Sequence, residues 1–130
     1  MDAKTFYENL RPEDERIMRE IVQVLKKYHP IEVFAIDKAA KPHHHREYQN
    51  ISLLLKGVNI TSYNLSIDEI EGMDDKIDVT RINTNNTIDD RCKYDSHVTD
   101  NRMIKIKHNR TKIRLFYTIN STGVSPKISL

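Results

Sequence analysis

The sequence predicts an α+β domain in two layers: a mixed or antiparallel sheet with an N-terminal amphipathic helix packed on one face. Apolar residues recur with the period of a helix between Pro12 and Tyr28. Short apolar segments of strand length follow, and a hairpin whose facing residues match in chemistry completes the pattern.

The helix is bounded as well as periodic. Pro12 suits a first helical turn, where its missing N–H has no partner to lose, and Glu13, Asp14 and Glu15 complement the positive end of the helix dipole. Ile17, Ile21, Val24, Leu25 and Tyr28 fall on one stripe, Lys26 and Lys27 suit the negative end, and Pro30 stops the element. Residues 31–36 (IEVFAI) are apolar on both faces apart from Glu32, as in an interior strand. A polar loop from Asp37 to Asn50 leads to a second strand at 51–55. Gly57 marks a turn, and the alternation of Val58, Ile60 and Ser62 with Asn59 and Thr61 predicts a further strand at 58–63. Ser66 and Glu69 have capping-box spacing, which places a short helix over Ile67 to Met73. Residues 76–82 (KIDVTRI) read as another strand, and Asn83 to Asn101 carry no periodic signal.

The hairpin occupies 102–117. With Asn109 and Arg110 as its turn, Ile106 faces Ile113 and Ile104 faces Leu115, while Lys107 faces Lys112 and Lys105 faces Arg114. Arg110 stands where a left-handed turn position favours glycine, so a longer loop is an alternative. One domain over 1–120 with a flexible tail over 121–130 is expected.

A chain of 130 residues can bury a core without disulfide or metal staples. Its 21 basic and 19 acidic residues nearly cancel, so any information about partners lies in where the charges are placed. Cys92 has no second cysteine to pair with, which fits a reducing compartment. No secretory leader pattern and no apolar run of membrane-spanning length is read, so a cytoplasmic protein without membrane contact is expected. Asn-x-Ser/Thr triplets at Asn59, Asn64, Asn85, Asn109 and Asn120 read as chance occurrences.

Placement of charge is most informative in the hairpin. Lys105, Lys107, Lys112 and Arg114 share one face, with Arg102 and Arg110 near its ends. Like charges facing one another across a sheet are mildly destabilising and call for a counter-ion, which a nucleic-acid backbone, an acidic protein or a nucleotide phosphate would supply. The alternative is an outer strand whose lysines guard against edge-to-edge aggregation. Tyr117 and Phe116 fall beyond the cations, so no base-stacking platform is expected. His43, His44, His45 and Asp78 are the candidate metal ligands. Three adjacent residues on an extended chain point in alternating directions, so a solvated loop is expected and no cofactor is predicted. Near Lys41 and Arg46, the three imidazoles would add positive charge on acidification. Cys92 and His97 lack an accompanying oxyanion signature, and Cys92 reads as a small buried residue.

The first half of the chain, Glu13 to Asn83, resembles a minimal nucleotidyltransferase domain in layout. The helix REIVQVLKKYHP precedes the strand IEVFAI; NISLLLKG supplies the second strand, and KIDVTRI a later one after LSIDEIEGM. That family carries Gly-Ser after its first strand, two carboxylates at i and i+2 on its second, and a third on a later strand. Here Ala35-Ile36 stands for Gly-Ser and Asn50 and Ser52 for the paired carboxylates, while Asp78 stands at the third position. Neither Asn50 nor Ser52 supplies the negative charge that bridging divalent ions need. The resemblance therefore implies a scaffold without the transferase chemistry.

The functional expectation is a non-catalytic binding or regulatory protein on such a scaffold. It would engage nucleic acid or an acidic protein through the basic hairpin. Two rivals come from other classes: a divalent-metal-dependent enzyme using Asp78 and the His43–His45 loop, and a structural accessory subunit in a homo-oligomer or with a different partner.

Overall fold

A computed structural model describes residues 2–28, 33–36, 48–83, 102–117 and 128–130, with the backbone alone described at 82, 83, 102 and 103. These residues form helices α1 (Ala3–Glu8), α2 (Pro12–Tyr28) and α3 (Ile60–Glu71). The strands are β1 (Val33–Ala35), β2 (Gln49–Leu55), β3 (Ile77–Asn83), β4 (Arg102–His108), β5 (Thr111–Tyr117) and β6 (Ile128–Ser129). They make one sheet in the order β3-β4-β5-β2-β1-β6. The pair β2–β5 is parallel and the rest antiparallel, so the sheet is mixed. The architecture is α+β, as the sequence predicts. No helix among the described residues is long and apolar enough to cross a membrane.

Alternation along each strand decides which face is the core. Ile51, Leu53 and Leu55 of β2, Ile104 and Ile106 of β4, and Ile113, Leu115 and Tyr117 of β5 join Ile17, Met18, Ile21 and Leu25 of α2 and Ile67 and Ile70 of α3 in one buried cluster. Burying each Leu or Ile side chain is worth about 1.5–3 kcal/mol, so this helix-covered face dominates the stability. The intervening residues face the other way. Asn50, Lys105, Lys107 and Lys112 are exposed there, while Leu54 and Phe116 at the far end of the same face are buried.

Helix α2 spans the predicted residues, and the hairpin has the predicted register. His108 pairs with Thr111, Lys107 with Lys112, Ile106 with Ile113, Lys105 with Arg114 and Ile104 with Leu115. The two-residue turn stands, because only Asn109 takes the left-handed conformation there (φ 52°). Asparagine tolerates that region, and Arg110 does not have to enter it.

Other expectations are corrected. The strand expected at 58–63 is the start of α3. Asn59 caps that helix by accepting from the Ser62 N–H at 3.1 Å, and Tyr63, Ile67 and Ile70 form the buried stripe. Ser66 is no cap: it lies inside the helix, and its hydroxyl donates back to the Tyr63 carbonyl at 2.7 Å. Strand β2 begins at Gln49 rather than 51, because Gln49 is already buried and its N–H donates to the Arg110 carbonyl at 2.7 Å. Helix α1, unforeseen, is capped by Asp2 and buries Phe6 and Tyr7. The end of the expected tail is sheet: Ile128 and Ser129 pair with Ala35 and Phe34, and the Leu130 N–H donates to the Val33 carbonyl at 2.9 Å.

Polar ties fix the helices to the sheet. Asp14, almost fully buried, accepts from Arg11 Nε at 2.6 Å and from the Thr111 hydroxyl, which joins the first turn of α2 to the first residue of β5. Glu69 of α3 accepts from both Lys27 Nζ and the Tyr28 hydroxyl at 2.9 Å, which joins the end of α2 to α3.

Removing Asp14 takes the short ion pair from Arg11 and the acceptor from the buried Thr111 hydroxyl. Asp14→Ala is therefore expected to cost about 3 kcal/mol in urea unfolding; a loss under about 1 kcal/mol would show the tie to be dispensable. Asn59→Ala should cost about 1 kcal/mol, and Ser66→Ala about 0.5 kcal/mol or less. The reverse order would place the start of the helix at Ser66.

Candidate anion-binding site

The parallel pairing of β2 with β5 extends the hairpin's cationic face across four strands. Asp78 is opposite Lys107, Lys107 opposite Lys112, and Lys112 opposite Asn50. One step along, Thr80, Lys105, Arg114 and Ser52 form a second row. These two rows line an open hollow of about 660 Å³, with Asn50, Asp78, Thr80, Lys105, Lys107, Lys112 and Arg114 around it. Four cations thus meet at the middle of the sheet, with one carboxylate at the β3 side.

Lys105, Lys107 and Lys112 are exposed, and none forms an ion pair with a described residue. What holds Lys107 and Lys112 is an aromatic ring. Tyr48, the residue before β2, lies under both ammonium groups, 3.9 Å from Lys112 Nζ and 5.3 Å from Lys107 Nζ to the ring centre. An exposed cation–π contact contributes about 0.5–1 kcal/mol, comparable to the cost of two like charges facing across a sheet. The ring offsets the repulsion without neutralising either charge. The expectation that no aromatic accompanies these cations is therefore corrected: Tyr48 does, and it is 41% exposed.

Of the remaining predicted cations, Arg114 is half-buried in the second row. Arg110, also half-buried, lies in the turn, where its carbonyl holds the start of β2. Arg102 opens β4 opposite Asn83. His43, His44, His45, Cys92 and His97 lie outside the described residues. Among the described residues, no group of three or more His, Cys, Asp or Glu side chains is placed to hold a metal ion.

Asn50 and Ser52 share one face of β2 with Asp78, but three strand spacings, about 14 Å, separate Asn50 from Asp78. Groups that far apart do not close on a common ion. A carboxylate converging with positions 50 and 52 would have to stand on the adjoining strand β5, where Lys112 and Arg114 stand instead. Asn50 is exposed, and its side-chain amide donates to the Tyr48 carbonyl at 3.4 Å. Ser52 is buried, and its hydroxyl has no hydrogen-bond partner among the described residues.

The outer end of β4 is fastened by His108, whose Nε2 donates to Asp74 Oδ2 at 3.1 Å. The Lys76 N–H also donates to Asp74, at 2.8 Å to Oδ1. These bonds, the backbone one first, hold the Asp74 carboxyl below its ordinary value of 3.8. Glu69 is held below 4.5 chiefly by Lys27, then by Tyr28. Comparison with known protein families, curated proteins and solved structures finds no match.

A carboxyl whose folded pKa is depressed adds stability that is complete above its unfolded value and is lost as the pH falls through the folded one. The urea midpoint should therefore decline as the pH drops below about 4, and Asp74→Asn or Glu69→Gln should flatten that decline. An unchanged slope in both variants would show that other carboxyls govern the acid limb.

Proposed function

We propose that this chain is a non-catalytic binding or regulatory protein that engages an anionic partner, nucleic acid or an acidic protein, through the face carried by its C-terminal hairpin. The observation that carries the reading is the meeting of Lys105, Lys107, Lys112 and Arg114 around an open hollow, three of them exposed and without ion pairs to described residues. Lysines that only guard an edge would sit on an outermost strand. Here β4 and β5 are interior, each with a neighbour on both sides. A row of facing cations in the middle of a sheet, offset by the Tyr48 ring but not neutralised, keeps its charge available to a polyanion.

The scaffold is proposed to be similar to a minimal nucleotidyltransferase domain whose chemistry is gone. In support, helix α2 precedes the antiparallel pair β1–β2, and positions 50 and 52 share the face that the transferase carboxylates would occupy. Beside them stand Lys112 and Arg114, so the pocket that would gather divalent cations gathers anions instead. The lone Cys92 supports placing the protein in the cytoplasm. An accessory role beside a second copy or another protein is compatible with the same face.

Retention on an immobilised polyanion should fall steeply with salt, and the Lys107→Glu, Lys112→Glu double variant should abolish it while still unfolding cooperatively in urea, at a midpoint lowered by the lost ring contacts. Retention of that folded variant at parental salt would remove the hairpin from the interface.

A further inference from the structure

Four features of the hollow narrow the kind of anion it takes, given the reading above that this face is an anion site. Its cations stand in two rows, two residues apart along the strands, a separation of about 6.7 Å. Its volume, about 660 Å³, is that of a small-molecule pocket and not of a flat protein–protein patch. At its edge, against the lining residues Lys107 and Lys112, lies an aromatic ring, that of Tyr48. That ring carries the only large exposed apolar surface on this side among the described residues, since Ile60 and Leu65 belong to α3 on the opposite face.

We infer that the hollow binds single-stranded nucleic acid, one base stacking on Tyr48 while four phosphates of the strand are each taken by one cation, Lys107 and Lys112 in one row and Lys105 and Arg114 in the other. In the free protein the two first-row ammonium groups rest on the Tyr48 ring. An arriving base replaces them on the ring, and the displaced ammonium groups meet the phosphates on either side of it. Stacking and charge neutralisation are thus exchanged in one step, with no polar group left bare. A duplex hides its base faces in the stack and presents a convex backbone, so it would use the cations but not the ring. An acidic protein would need apolar anchors around the carboxylate contacts, and one tyrosine supplies little of that.

The test compares a labelled oligothymidylate of about a dozen nucleotides, within the site sizes of single-strand binders, with its duplex, inorganic polyphosphate and polyglutamate. Binding is read by fluorescence anisotropy over a series of salt concentrations. The single strand should bind at least about tenfold more tightly than the other three, with a log–log salt slope near about −3 for four neutralised phosphates. Tyr48→Ala should weaken it roughly tenfold at an unchanged slope, and Tyr48→Phe should restore it. Lys112→Gln should make the slope shallower by about 0.7. Equal binding of polyphosphate or duplex, or no effect of Tyr48→Ala, would overturn the single-strand assignment and leave the anion site standing. Preference for polyglutamate would transfer the site to an acidic protein and overturn it likewise. Failure to bind all four would overturn both this assignment and the anion reading beneath it.

Discussion

Strands β2 and β5 lie far apart in the chain, yet they run side by side in the same direction at the centre of the sheet. Parallel neighbours cannot be joined by a tight turn, so the chain must leave the sheet after β2 and return further along it. Here α3 makes the departure, and β3 and β4 re-enter the sheet on the far side of β5 before the chain reaches β5 itself. This pairing joins two antiparallel groups, β6-β1-β2 on one side and β5-β4-β3 on the other, into one surface. It also brings the start of β2 beside the hairpin turn, where the Gln49 N–H meets the Arg110 carbonyl and Tyr48 comes under Lys112. A slip of one residue would turn the cations into the core and the isoleucines out to water. Burial of Ile51, Leu53, Ile113 and Leu115 against the helices therefore fixes the register, and the register fixes the site.

The buried cluster at Asp14 works in the same direction. An almost fully buried carboxylate is tolerable only with its partners in place, and Arg11 and Thr111 both supply bonds. Thr111 immediately precedes Lys112, so the tie that seats α2 on the sheet also sets where the cationic row begins. Stability and the geometry of the hollow share this link. Energetically the apolar core is far larger, but hydrophobic burial has no direction, whereas a bonded carboxylate specifies one position.

Local signals in the sequence were sufficient for α2 and for the hairpin. The stripe from Ile17 to Tyr28 and the matched pairs around Asn109 are patterns complete within one element, and the structure reproduces both. The α3 segment shows where local reading misleads. Val58, Ile60 and Ser62 alternate like a strand, yet one side-chain bond from Asn59 starts a helix whose buried stripe, Tyr63, Ile67 and Ile70, lies further on. Helix α1 and β6 carry no such signal, because six and two residues are too few for any period to emerge. Within the site, the cations could be read because they lie on one hairpin. Tyr48 could not, because its place beside Lys112 exists only through the parallel pairing, which no short stretch of sequence encodes. For the same reason Asp78 looked closer to positions 50 and 52 than the intervening β4 and β5 allow.

Facing lysines at 107 and 112 have a thermodynamic consequence. Their mutual repulsion exists only when the sheet is formed, since an extended unfolded chain holds the two charges apart and solvated. Any multivalent anion that settles between them binds the native state alone and raises its melting temperature by mass action. Thermal resistance of this molecule is therefore not a fixed property but a gauge of what occupies its lysines: a phosphate or citrate buffer and a chloride buffer of equal ionic strength should describe two differently robust proteins.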